Sequence, residues 1–410
     1  MPKNNQTSRN HYVPQWYQKR FLPDGCAHFN YLDLHPETVV NGAARWQRRS
    51  ILRWGPKKCF CENDLYTVKL GDWTTDEIEH RFFGPIDRNG ERAVEFFSNY
   101  EIREGVHDAF ENLIRYMDAQ RIRTPRGLDW LRMAVRLSSS NARLLAMQKV
   151  YRFHATMWME GVWEFVSASR SETKFLLTDN PITFYNVKAF PNSRDCAYPM
   201  DVPLGDIGTR TIFPLGMDHC LIISHLQLVR DPWANPRKSR VNARAYQPTM
   251  MNFMDIQHGR ELEEDEVLRI NLMLKQKAHR YIAAADENWL YPESRLSSTH
   301  WSRLDDDWFL FPNPYKVPFT GGIVVGYKDG SSFAMDEYGR RPHDPEYQDK
   351  KLHQREFRIA QEAKLAWALK REGRSLSQVD EDRFDDAYDR IMADDLREYR
   401  EKRKGRSPHR

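Results

Sequence analysis

The sequence predicts an α+β fold: a helix-rich body with a central mixed or antiparallel sheet and a C-terminal helical hairpin. Three observations carry that prediction. Apolar residues recur at helical spacing through residues 108–121 and again beyond Gly127. Near Thr173 that period gives way to short apolar runs set between turn residues. After about Pro345 the chain becomes dense in alternating charge, with a thin apolar stripe of Phe357, Leu365 and Leu369.

Taken in order, residues 1–70 read as mixed, with a short helical or extended piece over Gln15–Phe21 and strands near His28–Leu34 and Leu65–Leu70. Thr74 or Thr75 is placed to cap a helix whose first turn carries Asp76, Glu77 and Glu79, as the helix dipole prefers, and Gly84-Pro85 interrupts it. A second helix is expected from Arg88 to about Phe97, and a third over Asp108–Arg121, ending before Thr124-Pro125. The next helix is expected from Gly127 to about Ala168, on Leu128, Leu131, Val135, Leu144 and Val150. Lys174–Thr178 and Ile182–Tyr185 flank Asp179-Asn180-Pro181 as strand and turn, and Thr209–Phe213 with His219–His225 forms a hairpin around Pro214-Leu215-Gly216. Glu263–Ala285 reads as a helix with Val267, Ile270, Leu274 and Ala278 on one side. Asp329-Gly330 between Gly321–Tyr327 and Ser332–Met335 is the strongest short hairpin signal. Helices over 346–372 and 378–402 complete the chain. The division expected is a mixed body over 1–340, helical at 74–168 and strand-rich at 173–335 with a helix at 263–285, followed by a charged helical extension over 341–410.

The 410 residues are 40% hydrophobic, 12% aromatic and 29% charged, so the chain has a core but a lean one. Apolar runs such as Cys220–Ser224 fall far short of the roughly 20 residues that span a bilayer, and the N-terminal stretch has no apolar leader segment. With five cysteines, an odd count, the expected compartment is the cytoplasm. Cys59 and Cys61 form a C-x-C pair with no second pair to complete a zinc site, which favours two small residues around a strand or turn. The net charge of +4 hides an uneven distribution. Between Arg132 and Arg152 there are five basic residues and no Asp or Glu. On one continuous helix Arg132, Arg136 and Arg143 fall within about 40° of each other at roughly 100° per residue. Such a stripe faces phosphates, or solvent, or ion pairs on a distant element.

Three stretches stand out together: His11-Tyr12-Val13-Pro14-Gln15 with Tyr17 and Phe21, Gln120-Arg121-Ile122-Arg123-Thr124-Pro125, and Leu177-Thr178-Asp179-Asn180-Pro181-Ile182. In this order and spacing they resemble the uncharacterised bacterial family known as domain of unknown function 4238, over roughly residues 10 to 290. The chain departs from it with Trp16 in place of a smaller aromatic and with its extension past about 295. The resemblance brings no reaction with it, so the residues are read on their own chemistry. His11, held by Pro14, suits proton transfer near neutral pH, or a hydrogen bond that pins the N-terminal segment. Arg123, before Thr124-Pro125, suits a clamp on a carboxylate or phosphate, or an internal ion pair that staples the bend. Asp179 suits a general base, a metal ligand or the orienting partner of His11, whereas Asp-Asn-Pro is also ordinary turn chemistry.

The zinc-protease, Walker and nucleophile-elbow motifs are lacking. The leading expectation is an enzyme that cleaves phosphodiesters in RNA or DNA. Its catalytic set is His11, Arg123 and Asp179, with Tyr12, Gln15, Tyr17, Gln120, Arg132, Arg136, Arg143 and Asn180 binding substrate. The cofactor is left open, a divalent metal being one option, with Asp179 as either the orienter or a metal ligand. One alternative is a non-catalytic nucleic-acid or protein-interaction module that stacks bases on Trp16, Tyr17 and Trp158. Another is a small-molecule hydrolase or transferase with its pocket between the helical and strand-rich parts.

Overall fold

A computed structural model describes residues 9–372 except 42–43, 71–72, 76–77, 135, 137–138, 151, 242–250 and 320. The chain begins with β1 (Arg9–His11), helix α1 (Gln15–Lys19), β2 (Phe29–Asp33), β3 (Ile51–Trp54) and β4 (Cys61–Asn63). Five helices follow: α2 (Gly84–Ser98), α3 (Val106–Arg123), α4 (Pro125–Ala134), α5 (Ser140–Val150) and α6 (Ala155–Met159). Next come β5 (Gly161–Ser167), β6 (Leu177–Thr178), β7 (Thr183–Tyr185), β8 (Arg210–Pro214), β9 (His219–His225) and α7 (Leu226–Arg230). Then β10 (Gln257–Glu261), α8 (Glu264–Lys277) and β11 (Tyr281–Ala284) lead to the C-terminal α9 (Pro345–Gln348) and α10 (Lys350–Glu372).

The fold is α+β, with two larger sheets. One has the order β7-β8-β9-β5-β10 and is mixed, because β10 runs parallel to β5 while the other pairs are antiparallel. The other, β6-β11-β2-β3, is antiparallel throughout. In the first sheet every residue of β8, and all but His219 of β9, is buried. A strand covered on both faces reads as an unbroken apolar run, as Cys220–Ile223 does. Helices α2 and α3 cover this sheet through aromatic contacts: Phe97 stacks on Phe165 at 5.2 Å, and Phe110 meets Trp163 at 5.1 Å. From the other end, Tyr17 of α1 stacks on Phe213 at 5.7 Å. Both hairpins expected around 214–216 and 329–330 are present, the second with Gly330 at φ 84°.

Three expectations are corrected. The long helix over 127–168 is broken into α4, α5, α6 and β5, with Arg136 in the left-handed region at φ 52°. Its last part becomes strand because Val162–Val166 pairs with β9 in register, Leu221 opposite Phe165. The helix over 263–285 ends at Lys277, Ala278 being extended at ψ 148°, and Tyr281–Ala284 joins the second sheet as β11. Thr74 and Thr75 lie in a strand rather than capping a helix. A π-helical turn at Ile78–Phe83 leads into α2, where Pro85 occupies the first turn and so opens the helix instead of interrupting it. Helix α10 matches the first expected C-terminal helix, and the second, over 378–402, lies outside the described residues.

Candidate functional site

The three singled-out stretches meet, and they do so through backbone groups and buried ion pairs. The Gln120 side-chain amide donates to the Tyr12 carbonyl at 2.9 Å, which ties the first stretch to the second. Arg121 ties the second to the third, donating to Asn180 Oδ1 at 2.7 Å and the Ile182 carbonyl at 3.1 Å, and pairs with Asp201 at 2.6 Å. Asp179 accepts from the backbone amides of His279, Arg280 and Tyr281 at 2.8, 2.6 and 2.8 Å, which fixes the start of β11. Burial pushes its carboxyl up, and the three amides work against that push. The Tyr12 hydroxyl lies in the field of Tyr31 and Asp179, and burial raises its pKa well above the usual phenol range.

The expected catalytic trio is not assembled as one set of side chains. Arg123 is buried, holds Asp87 at 2.8 and 3.0 Å and Gln120 Oε1 at 2.7 Å, and lies over the Phe83 ring. All three nitrogens of its fork thus donate to groups inside the protein, Nη2 also reaching Gln120 Oε1, which is the stapling role rather than the clamp. His11 sits in β1 opposite Cys61, with its ring against the Pro56–Lys57 backbone. Burial lowers its pKa, and Nε2 has no partner among the described residues. Tyr17 is buried and donates to the Pro214 carbonyl, while Gln15 is half-buried at the start of α1. The arginine stripe does not survive the break in the helix. Arg132 is exposed near the end of α4, Arg136 is exposed in the turn after it, and Arg143 lies in α5 with its side chain outside the described residues.

A different pair of residues has the geometry of proton-transfer chemistry. His154 Nδ1 lies 2.7 Å from Asp118 Oδ1, within the core between α3 and the start of α6. The carboxylate side chain is fully buried, whereas the imidazole keeps 8% of its surface exposed. A carboxylate can only accept, so Nδ1 carries a proton, and in the neutral imidazole the lone pair is then on Nε2. Asp118 Oδ2 has no hydrogen-bond partner among the described residues, so the contacts to this carboxylate come from His154, whose ring and backbone amide (3.4 Å) both meet Oδ1. Three rings surround the imidazole: Phe153 at 5.0 Å, Trp158 at 5.3 Å and Phe184 at 5.7 Å. Trp158 in turn donates to Thr211 Oγ1 at 2.8 Å, anchoring α6 to β8.

His154 lies in the wall of a cavity of about 360 Å³ between α3, α4 and α6 on one side and residues 199–205 with Phe184 on the other. The lining is mostly apolar (Ile122, Trp130, Met157, Phe184), with Arg121, Arg126 and Asp201 as its charged groups. Burial opposes the charge on Asp201, yet Lys277, Arg121 and Arg126 hold its carboxyl well below the usual range. Arg126 donates to the carbonyls of Lys277 and Met200, leaving Nε buried without a partner. Arg126 also borders a second cavity of about 980 Å³, where Tyr198 stacks on His279 at 4.1 Å. Among the described residues no group of three or more His, Cys, Asp or Glu side chains is placed to hold a metal ion.

Sequence reasoning missed Asp118 and His154 because they are 36 positions apart on separate elements, with no fixed-spacing signature. The one available signal was the lone Asp inside the apolar face that Leu113, Ile114 and Met117 begin.

Residues 9–141 match the family described as Protein of unknown function (DUF4238). The chain resembles that family over this shorter stretch, which contains the first two motifs and ends before Leu177–Ile182. No curated protein and no solved structure matches the chain. No described helix is long and apolar enough to cross a membrane.

Proposed function

We propose that the chain is a small-molecule hydrolase or transferase, with His154 as general base, Asp118 as its orienting partner and the adjoining 360 Å³ cavity as the substrate site. The observation that carries this reading is the 2.7 Å His154–Asp118 contact at the wall of a largely apolar cavity. Small-ligand sites have volumes of about 300–1,000 Å³, apolar walls and a few convergent polar groups. In the reaction Nε2 takes the proton of an attacking water or substrate hydroxyl and later returns it to the leaving group, while Asp118 stabilises the imidazolium between the two steps.

The test is turnover of p-nitrophenyl esters, amides and phosphoesters by the full chain. His154→Gln is expected to lower turnover of the best substrate about 10²–10⁴-fold, the usual contribution of a positioned general base. The variant is expected to keep the wild-type circular dichroism at the assay temperature, with a lower thermal midpoint because Asp118 loses the Nδ1 donor. Equal turnover by wild type and H154Q across the panel would sink the reading.

Phosphodiester cleavage with nucleic acid as substrate is the second reading, favoured by the exposure of Arg132 and Arg136 at the end of α4. RNA and single-stranded DNA in the same assay test it, through the loss of cleavage in His11→Ala. The odd count of five cysteines supports the cytoplasm as the compartment for either activity.

A further inference from the structure

Away from the dyad, a cavity of about 530 Å³ opens between α1 and the turn that follows β3. Lys19, Arg53, Lys57, Lys58 and His28 line it, together with Gln15 and Trp54, and no Asp or Glu contributes to its wall. Elsewhere many of the arginines are matched by carboxylates, among them Arg121 by Asp201, Arg123 by Asp87 and Arg240 by Glu160, whereas Lys19, Arg53, Lys57 and Lys58 are exposed. Here, among the described residues, none of the four Lys and Arg side chains has a carboxylate within ion-pair distance. Four like charges facing one cavity repel one another, and an anion bound among them reverses the sign of that interaction.

The frame is rigid. β3 pairs with β2, Arg53 opposite Asn30, and Lys58 N donates to the Gly55 carbonyl at 2.9 Å to close the turn. Gly55 also lets the backbone at Ala27 pack against the turn, because a Cβ there would lie 2.7 Å from the Ala27 carbonyl oxygen. The Trp54 indole stacks on Tyr31 at 5.7 Å and 22°, so an aromatic platform is held in place beside the cations.

We propose that this cavity binds the phosphate end of a nucleotide-sized ligand, with Arg53, Lys57, Lys58 and Lys19 contacting the phosphate oxygens and Trp54 contacting the base. Guanidinium and ammonium donors give phosphate short, charge-assisted hydrogen bonds, and an indole offers any base a flat surface. The volume suits one nucleotide rather than the path of a strand. The site is separate from the dyad cavity and does not rest on the reading given for it.

Calorimetric titration of the full chain with ADP, adenosine, inorganic phosphate and a single-stranded oligonucleotide tests the assignment. ADP is expected to bind at least about tenfold more tightly than adenosine, and to weaken with added salt. The double variant Lys57→Ala/Lys58→Ala is expected to lose about tenfold or more in ADP affinity, as removal of two charge-assisted contacts implies. Both lysines are exposed, so this variant should keep the wild-type thermal midpoint. His154→Gln should bind ADP as wild type does, which separates this site from the dyad. Failure of both ADP and inorganic phosphate to bind, equal affinity for ADP and adenosine, or an unchanged double variant would each overturn the proposal. Binding of the oligonucleotide far more tightly than ADP would also overturn it, in favour of a nucleic-acid strand.

Discussion

Asp118 and Arg123 belong to the same helix, and burial sets each a different problem. Arg123 solves it with Asp87 and Gln120, so its charge is spent on holding α3 to α2. Asp118 has only His154 and keeps an unpartnered oxygen, the less economical arrangement and the one that suits chemistry. The sequence marked Arg123 because it stood beside Thr124-Pro125; nothing in the local pattern told a stapling arginine from a clamping one. At His225 burial dominates. Desolvation, reinforced by Arg240, pulls its pKa down to about 3, and its Nε2 donates to the Leu204 carbonyl at 2.6 Å. Below about pH 6.5 the unfolded chain takes up a proton that the folded state refuses until about pH 3. Stability is therefore complete above that upper value and falls as pH drops toward the lower one, by up to about 1.4 kcal/mol per pH unit from this group. His11, His219 and His279, all lowered by burial, add to the loss with the same sign. Urea midpoints measured at pH 7.5, 6 and 5 are expected to decline, and His225→Gln, which keeps a donor for Leu204, to flatten the decline. An identical slope in the variant would rule out His225 as the source.

Among the elements, the α3–α4 elbow is where packing overrides propensity. Gly127 lies in the first turn of α4, and a Cβ there would be 2.4 Å from the Arg121 carbonyl oxygen and 2.5 Å from that of Ile122. Glycine to alanine within a helix ordinarily gains about 1 kcal/mol. Here the neighbours are backbone, so relieving the clash must move one helix against the other, and overpacking of that kind costs about 1–3 kcal/mol. Gly127→Ala is thus expected to be destabilising in urea unfolding, and a stabilised variant would mean the elbow opens freely. The start and apolar face of helix α8 were legible in the sequence, through Val267, Ile270 and Leu274 on one side, and the structure adds a capping box between Glu263 and Glu266, but its end at Lys277 was not legible. β5 was not legible. Val162–Val166 is covered on both faces in its buried part, so its apolar run has no period of its own and reads as the continuation of the helix before it. The break at Arg136 was hidden for the opposite reason, since no glycine or proline marks it. β11 became strand through contacts distant in sequence, the carboxylate of Asp179 and the edge of β2.

For the molecule as a whole, the contrast is between the five-stranded sheet and the helix laid over the far end of the chain. Strands β8 and β9 are buried along almost their whole length, in a core that also buries the large side chains of Trp158, Trp163 and Phe213. Helix α10 instead buries Ala360, Ala363, Ala366 and Leu369, a stripe of mostly single methyl groups. Its other attachments include Arg340 with Glu356, Phe319 against Phe357 at 4.9 Å, Tyr315 against Trp367 at 6.4 Å, and Lys370 over Trp308 at 5.2 Å. At about 0.8 kcal/mol per buried CH₂-sized group, an alanine stripe stabilises docking by a few kcal/mol, and partly exposed ion pairs add little. A helix held so weakly opens on its own before the core does, which places it at the low-stability end of the molecule. Native-state hydrogen exchange across low urea concentrations tests this. Amides of α10 are expected to exchange through an opening whose free energy lies well below that of β9, and Ala363→Glu to lower it further while β9 protection stays unchanged. If α10 and β9 instead exchange with the same free energy and the same urea dependence, and A363E lowers both together, the helix is an integral layer of the body and the extension begins only after it.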